Sequence, residues 1–250
     1  METRRPLAWR LSKWLVRPRF DCYNWYDNGE YWLVQKLAAF HPAVVFDVGA
    51  NVGDWLTMTR RALPDAEIHA FEIVDTTYAR LRERCADTAA VLLNNIGLSD
   101  RAGTLTMHVY ESCSGWASHI AYPHGEYRDV VCPVVRGDEY ARQRGVRHID
   151  LLKIDVEGAE HLVLKGFVDA IDTGDIDVIQ FEYGKVNILT HFLLRDFYEF
   201  LEQREYSVGK LFPRRVDFRS YSFDDEDFVG PNFVAVRRAR SDIIDILRGH

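Results

Sequence analysis

Residues 43–53 read AVVFDVGANVG, and the order of residue types in this one stretch decides the fold. Ala43 to Val48 is a short, almost wholly apolar run, the pattern of a strand buried on both faces of a parallel sheet. Gly49 and Gly53 break it and open a helix predicted from Asp54 to Leu63, which Pro64 stops. Working outward, Glu67 to Glu72 reads as the next strand, Asp75 to Asp87 as a helix and Ala90 to Ile96 as a third strand. The order β-α-β-α-β forces parallel pairing through right-handed crossovers.

The alternation pauses after residue 103 and resumes at 138. Thr104 to Tyr110 and Val130 to Val135 have strand composition; between them lies a polar segment with Ser112, Ser114, Gly115, Ser118, His119, His124 and Gly125. These are the marks of a hairpin excursion or of a flap over a site. Beyond come a helix from Asp138, a strand Ile149 to Asp155, a helix Ala159 to Gly166, a strand Ile176 to Tyr183, a helix Phe192 to Arg204, and closing strands near Tyr206 to Leu211 and Asn232 to Val236. Asp138 suits the N-cap of its helix. Asp224-Asp225-Glu226-Asp227 reads as a solvated loop, and the tail after Arg237 as a short surface helix. Upstream, residues 5–17 place Leu7, Leu11, Trp14 and Leu15 on one helical face with arginines elsewhere, and a second helix runs from Asn28 to Phe40, closed by His41-Pro42. The chain thus divides into an N-terminal helical extension (1–42), an α/β domain (43–240) and a C-terminal tail (241–250).

Composition narrows the class. The 250 residues are 47% hydrophobic and 28% charged with 16 Gly and 8 Pro, which excludes collagen-like, low-complexity and wholly disordered chains. Cys22, Cys85, Cys113 and Cys132 form no C-x-x-C pair, so reduced packing thiols are expected rather than a zinc knuckle or a dithiol site. No run approaches the roughly 18 to 20 apolar residues that span a bilayer, and the Arg-studded start lacks the apolar centre of a secretion signal, so a cytoplasmic protein is expected. The net charge is −7, yet Arg4, Arg5, Arg10, Lys13, Arg17 and Arg19 face only Glu2 in the first twenty residues, which leaves the body more acidic than the whole. That body argues against nucleic acid as a partner. A basic amphipathic helix can rest on an anionic membrane, but so short a segment binds lipid weakly, and docking on its own domain or on a partner chain is the preferred reading; a homo-oligomer stays open.

Glycines at the turn let the backbone bend tightly and let a ligand approach without a Cβ in the way, while the helix start presents free N–H groups. A dinucleotide fingerprint needs glycine at position 51 and again three residues later, and Asn51 and Asp54 break both requirements. A carboxylate at Asp54 would repel a pyrophosphate at the helix start, so the ligand is not a polyphosphate. Glu72 closes the second strand, where an acid can accept hydrogen bonds from both hydroxyls of a ribose. Glycine turn plus ribose acid implies an adenosine without phosphate.

Val44 to Gly53, Glu72 in FEIVD, Asn95 to Asp100 (NIGLSD) and above all Ile149 to Glu160 (IDLLKIDVEGAE) with Leu164-Lys165-Gly166 resemble the FkbM-type family of S-adenosylmethionine-dependent methyltransferases, over residues 40–236. The resemblance implies an α/β, Rossmann-like class I fold: a mostly parallel seven-stranded sheet, helices on both faces, an N-terminal helical extension, and S-adenosyl-L-methionine held at the strand ends. Carried over by position, Asp47, Gly49, Asn51 and Gly53 surround the methionine part of this donor and Glu72 holds its ribose. Asn95 to Leu98 lie against the adenine, Leu98 by apolar contact. The family's T-L-D run is absent, since Val135-Arg136-Gly137-Asp138 keeps only the aspartate. The resemblance also implies secondary metabolism or glycan tailoring, with a sugar or polyketide hydroxyl as acceptor.

Methyl transfer to a hydroxyl requires alignment and removal of a proton. Asp155, ending its strand beside the donor, is the first candidate base; a second reading has it only bind the donor, and Glu157 on the same turn suits either task. Glu182, at the end of the next strand, can face Asp155 across the pocket mouth. The pair acts as base and orienting group, or else as a Mg²⁺ site with Glu157 or a histidine, the metal-free reading being preferred. His119 and His191, on loops over strand ends, are further candidate bases. Tyr183, Tyr122 and Trp116 line an acceptor pocket or pack, packing being the simpler reading. The expected activity is O-methyl transfer to a hydroxylated small molecule. N-methylation, an NAD-dependent oxidoreductase and a non-catalytic binding protein on the same fold are the alternatives.

Overall fold

The stretch read as a buried strand is β1 (Val44–Val48), which pairs in parallel with β2 (Glu67–Phe71) on one side and β8 (Ile149–Ile154) on the other. β3 (Val91–Asn94) extends the parallel sheet beyond β2, and β9 (Ile176–Glu182) beyond β8. Antiparallel β12 (Asn232–Arg237), β10 (Tyr206–Phe212) and β11 (Arg215–Phe218) complete the order β11-β10-β12-β9-β8-β1-β2-β3. The computed structural model describes residues 24–85, 90–110, 116–123 and 125–249, with only the backbone of Trp116. The predicted 5–17 helix, Cys22, Ser112, Cys113, Ser114, Gly115 and His124 lie outside the described residues. No described helix is long and apolar enough to cross a membrane.

The sheet has eight strands where seven are expected. The added strand, β11, folds back on β10 with Phe212 opposite Arg215, leaving only Pro213 and Arg214 in the turn. That dipeptide carries none of the Asn-Gly or Asp-Gly chemistry by which a two-residue hairpin is read from sequence.

Side chains alternate between the two faces of each strand. On one face Val45, Leu151, Val178 and Val234 pack with α2 (Glu30–Leu37), α3 (Asp54–Ala62), Leu81 of α4 (Asp75–Arg84) and α10 (Ser241–Leu247). On the other, Phe46, Leu152, Ile179 and Phe181 pack with α5 (Gly137–Arg144), α6 (Glu160–Gly166) and α9 (Leu194–Glu202). Toward the carboxyl ends the first face turns polar. Asp47 stands opposite Lys153, and Lys153 opposite Gln180, so the register itself lays a polar row across three buried strands.

The excursion after β3 forms its own sheet, β4-β7-β5-β6, from β4 (Gly97–Ser99), β5 (Gly103–Tyr110), β6 (Trp116–Ser118) and β7 (Tyr127–Arg136), with β5 and β7 antiparallel. Several local expectations change. The helix read from Asn28 to Phe40 divides at Gly29 (φ +100°) into α1 (Trp25–Asn28) and α2, because the junction lies on β10, where a Cβ at Gly29 would stand 2.4 Å from the Phe212 carbonyl. Asp138 does not cap its own helix. Its carboxylate accepts from the Asp169 and Ala170 N–H groups and so caps the start of α7 (Val168–Thr173). The Asp224–Asp227 run is not simply solvated, because Asp225 pairs with Arg219, Glu226 accepts from the hydroxyls of Tyr183 and Tyr221, and Asp227 takes the Lys210 ammonium. The tail helix is likewise no surface appendage: Ile243, Ile244 and Leu247 are buried in the α2–α3 layer.

Candidate functional site

The turn after β1 is held by backbone geometry. The N–H groups of Gly49 and Ala50 donate to the Phe71 carbonyl, and Asp155 N–H donates to the Val48 carbonyl, tying three strand ends together. Gly49 has φ +88°, and a Cβ there would stand 1.8 Å from the Asp155 carbonyl oxygen, so only glycine lets the two turns meet. Beside them opens a cavity of about 240 Å³, at the carboxyl ends of β1, β2, β8 and β9.

On the β2 side, Glu72 is 7% exposed and accepts the Val74 N–H on one oxygen (2.9 Å) and the Asn51 N–H on the other (3.0 Å). Burial pushes its pKa up to about 7, against those two bonds. A carboxylate has about four acceptor sites, so two bonds fix Glu72 and leave capacity facing the cavity. Ile96, Gly97 and Leu98, with Leu105, Met107 and Ala117 from the excursion, form an apolar wall next to it.

On the β8 side the site is charged. Lys153 is 3% exposed, and its Nζ lies 3.3 Å from Asp47 Oδ1 and 3.2 Å from Asp155 Oδ2. Burial opposes its charge, but Asp155, Asp47 and Glu30 outweigh that and hold the ammonium above its ordinary pKa. Carboxylate oxygens of Asp155, Glu157 and Glu182 lie within 4.8 Å of one another. Burial, then the charges of Asp155 and Glu157, push Glu182 well above the usual carboxylate range. Beneath them Glu160 accepts the Val156 and Gly158 N–H groups and fixes the turn that carries Glu157.

The third wall comes from the segment before β1: Trp25, Asn28 and Glu30 line the cavity. Glu30 is 5% exposed and accepts from Asn28 Nδ2 and Gln180 Nε2, each at 2.7 Å. No local sequence signal marks Glu30, because the contact that ties it to the sheet, with Gln180, spans 150 residues. Lys153 was legible in principle, since a lysine within the apolar run Leu151-Leu152-Lys153-Ile154 must find a buried partner.

The cavity is lined by Gly49, Asn51, Glu72, Leu98, Asp155, Glu157 and Glu182. Three other candidates stand behind it: Asp47 beneath Lys153, Gly53 where α3 meets Leu81 and Cys85, and Asn95, whose amide donates to the Glu72 carbonyl. Asp54 lines the cavity and pairs with Arg84, which offsets its charge. His119 lies outside the lining, near Gly158 and His161; burial, then His161, lowers it to about 4. His191 is exposed, at the end of α8 (Asn187–Thr190) and away from the lining. Tyr183 is packed, at 2% exposed; Cys85 is buried, and Cys132 is buried in the excursion. Tyr122 donates its backbone N–H to the Tyr110 hydroxyl.

Residues 47–208 match the methyltransferase FkbM domain. The 31-O-demethyl-FK506 methyltransferase of Streptomyces tacrolimicus is 31% identical over 156 residues, covering 51% of this chain and 60% of that one. Methyltransferase sdnD of Sordaria araneosa is 31% identical over 155 residues, covering 49% and 59%. The hexuronic acid methyltransferase AglP of Haloferax volcanii is 28% identical over 143 residues, covering 56% of each. The chain thus spans less than two thirds of these relatives' lengths.

Proposed function

The chain belongs to the methyltransferase FkbM domain family, and from that premise we propose that it moves the methyl group of S-adenosyl-L-methionine to a hydroxyl of a small molecule. The observation that carries the reading is one cavity with two chemically opposite ends. Glu72, with spare acceptor capacity beside an apolar wall, suits a ribose and an adenine. Asp155, Glu157, Glu182 and Glu30 with Lys153 as the lining's basic residue suit a ligand that brings its own positive charge. When bound, the donor supplies an electrophilic methyl on a sulfonium.

The protein's part is to orient the acceptor and take its proton. Asp155, in salt bridge with Lys153, accepts the hydroxyl proton. Glu182, whose carboxyl is pushed well above the usual range by burial and by its two neighbours, orients the acceptor oxygen. His119 and His191 stand outside the cavity lining, which favours Asp155 over either as base. The acceptor in this reading is a sugar or polyketide hydroxyl; a hexuronic acid is named for AglP and 31-O-demethyl-FK506 for the Streptomyces relative. Residues 43–240 form the donor domain, and Trp25, Asn28 and Glu30 of the segment before it wall one end of the cavity.

The close approach of Asp155, Glu157 and Glu182 favours a second reading, in which their oxygens hold a divalent cation such as Mg²⁺ that activates the acceptor oxygen. Lys153 already engages Asp155, so the metal-free reading is preferred. The test is S-adenosylhomocysteine formation by the full chain with uronides, neutral sugars and macrolide alcohols, with mass spectrometry of the product. An O-methyl ether, formed at equal rate with and without EDTA, is expected. Loss of activity with EDTA and its return with Mg²⁺ selects the metal reading. An exclusively N-methylated product overturns the hydroxyl assignment.

A further inference from the structure

We propose that the amino-acid tail of the donor is held by a subsite built partly from the segment before β1, in which Glu30 receives the α-ammonium and the indole N–H of Trp55 receives the α-carboxylate. The inference rests on the donor reading above and goes beyond it, because Glu30 lies outside the matched 47–208 region.

The order of strand ends sets the axis of the ligand. Leu98 and Glu72 lie at the β3 and β2 side, so an adenosine held there directs whatever follows its ribose across β1 toward β8. At that end the cavity is walled by Trp25, Asn28, Glu30, Trp55 and Lys153. A donor tail is a zwitterion, so this end must offer both an acceptor for an ammonium and a donor for a carboxylate.

Trp55 sits in the first turn of α3, directly after the glycine turn, and is 2% exposed. Its Nε1 is buried and meets no hydrogen-bond partner among the described residues, although the side chain lines the cavity. Buried indole N–H groups normally find an acceptor, and one left unpaired is costly. Every charged side chain lining this end except Lys153 is itself an acceptor, and the Lys153 ammonium lies 5.4 Å over the indole ring, already directed at two carboxylates. A carboxylate carried in by the ligand beside that ammonium satisfies the orphaned N–H.

Glu30 supplies the opposite charge. Two amide donors fix its oxygens at 2.7 Å each, which locks the carboxylate in place without neutralising it. Among the described lining residues Lys153 is the basic one; its ammonium pairs directly with Asp47 and Asp155 and acts on Glu30 only through longer-range charge. The site is therefore short of a cation next to Glu30. Burial also raises the Glu30 pKa, as expected of an acid waiting for a counter-charge.

Calorimetry separates this subsite from the rest of the donor pocket with three probes. S-adenosylhomocysteine has the whole tail, S-adenosyl-3-(methylthio)propylamine keeps the ammonium and lacks the carboxylate, and 5′-methylthioadenosine has neither. Trp55→Phe should weaken S-adenosylhomocysteine about tenfold and leave the other two unchanged. Glu30→Gln should weaken the first two by about tenfold and leave 5′-methylthioadenosine unchanged, which also shows that the variant is folded. Equal weakening of all three probes, or S-adenosylhomocysteine binding within twofold of the unsubstituted protein in both variants, overturns the subsite while the donor reading stands. Failure of the unsubstituted protein to bind any of the three overturns both.

Discussion

The two ends of the cavity are built differently. The β2 end is made by backbone: Glu72 is clamped between the Asn51 and Val74 N–H groups, and the glycine turn is clamped to Phe71 and Asp155, all within a few residues of strand ends. The β8 end is made by side chains that meet from far apart, with Lys153 on Asp47 and Glu30 on Gln180, and the excursion pinned over them. A site assembled by short-range backbone bonds holds one ligand shape. One assembled by distant charged side chains can be retuned by few substitutions.

The contrast predicts that substitution of Asp155, the acid facing the acceptor, acts on rate, while substitution of Glu72, like that of the Glu30 and Trp55 tail subsite, acts on donor affinity. The largest effect is expected at the junction. Asp155→Asn should lower kcat by about 10² to 10⁴, the range of a lost general base, with donor affinity changed little in calorimetry. Parallel loss of affinity and rate would make Asp155 a donor ligand and remove the distinction. Next is Glu72→Ala, which should weaken S-adenosylhomocysteine by about 1 to 3 kcal/mol through unpaired ribose hydroxyls, with kcat at saturating donor nearly unchanged. An unaltered dissociation constant would unseat Glu72 as the ribose acid.

Glu72 also gives the β2 end a pH signature. Its folded pKa is raised to about 7 from 4.5, so the stability it contributes is complete below about 4.5 and is lost as pH rises through 7. Glu160, also raised to about 7 by burial, acts in the same direction. Ribose hydroxyls donate to the ionised form, so donor binding should strengthen as pH rises from 6 to 8, with proton release in calorimetry. Glu72→Gln should remove that release, and its persistence would assign the proton to another group.

How far the sequence anticipates this molecule follows the same divide. Strand, glycine turn and Glu72 are legible because the apolar run, the break and the acid lie within one βαβ unit and local periodicity reports them. Asp155 and Glu182 are legible as strand-ending acids, and the register then brings them together. Glu30, Trp55 and the β11 hairpin are not. Glu30 acts through a contact 150 residues away, Trp55 reads as an ordinary core aromatic, and Pro213-Arg214 is not a recognised hairpin pair. Asp138 shows the limit of local chemistry: its type suits a cap, but tertiary packing decides that the helix it caps is α7.

The smallest expected effect tests whether the excursion belongs to the acceptor end at all. Ser118 is fully buried; its hydroxyl donates to the Glu157 carbonyl at 2.6 Å and accepts the Ile120 N–H at 3.1 Å. One side chain thus ties the excursion to the turn that carries Asp155 and Glu157. Ser118→Ala removes both bonds and leaves a part-buried N–H and carbonyl without that partner, a loss of about 1 kcal/mol. If the excursion only shields the core, thermal stability falls and kinetics stay the same. If it shapes the acceptor end, acceptor KM should rise about threefold to tenfold while the S-adenosylhomocysteine dissociation constant holds. A change in donor affinity alone would instead place Ser118 with the β2 end.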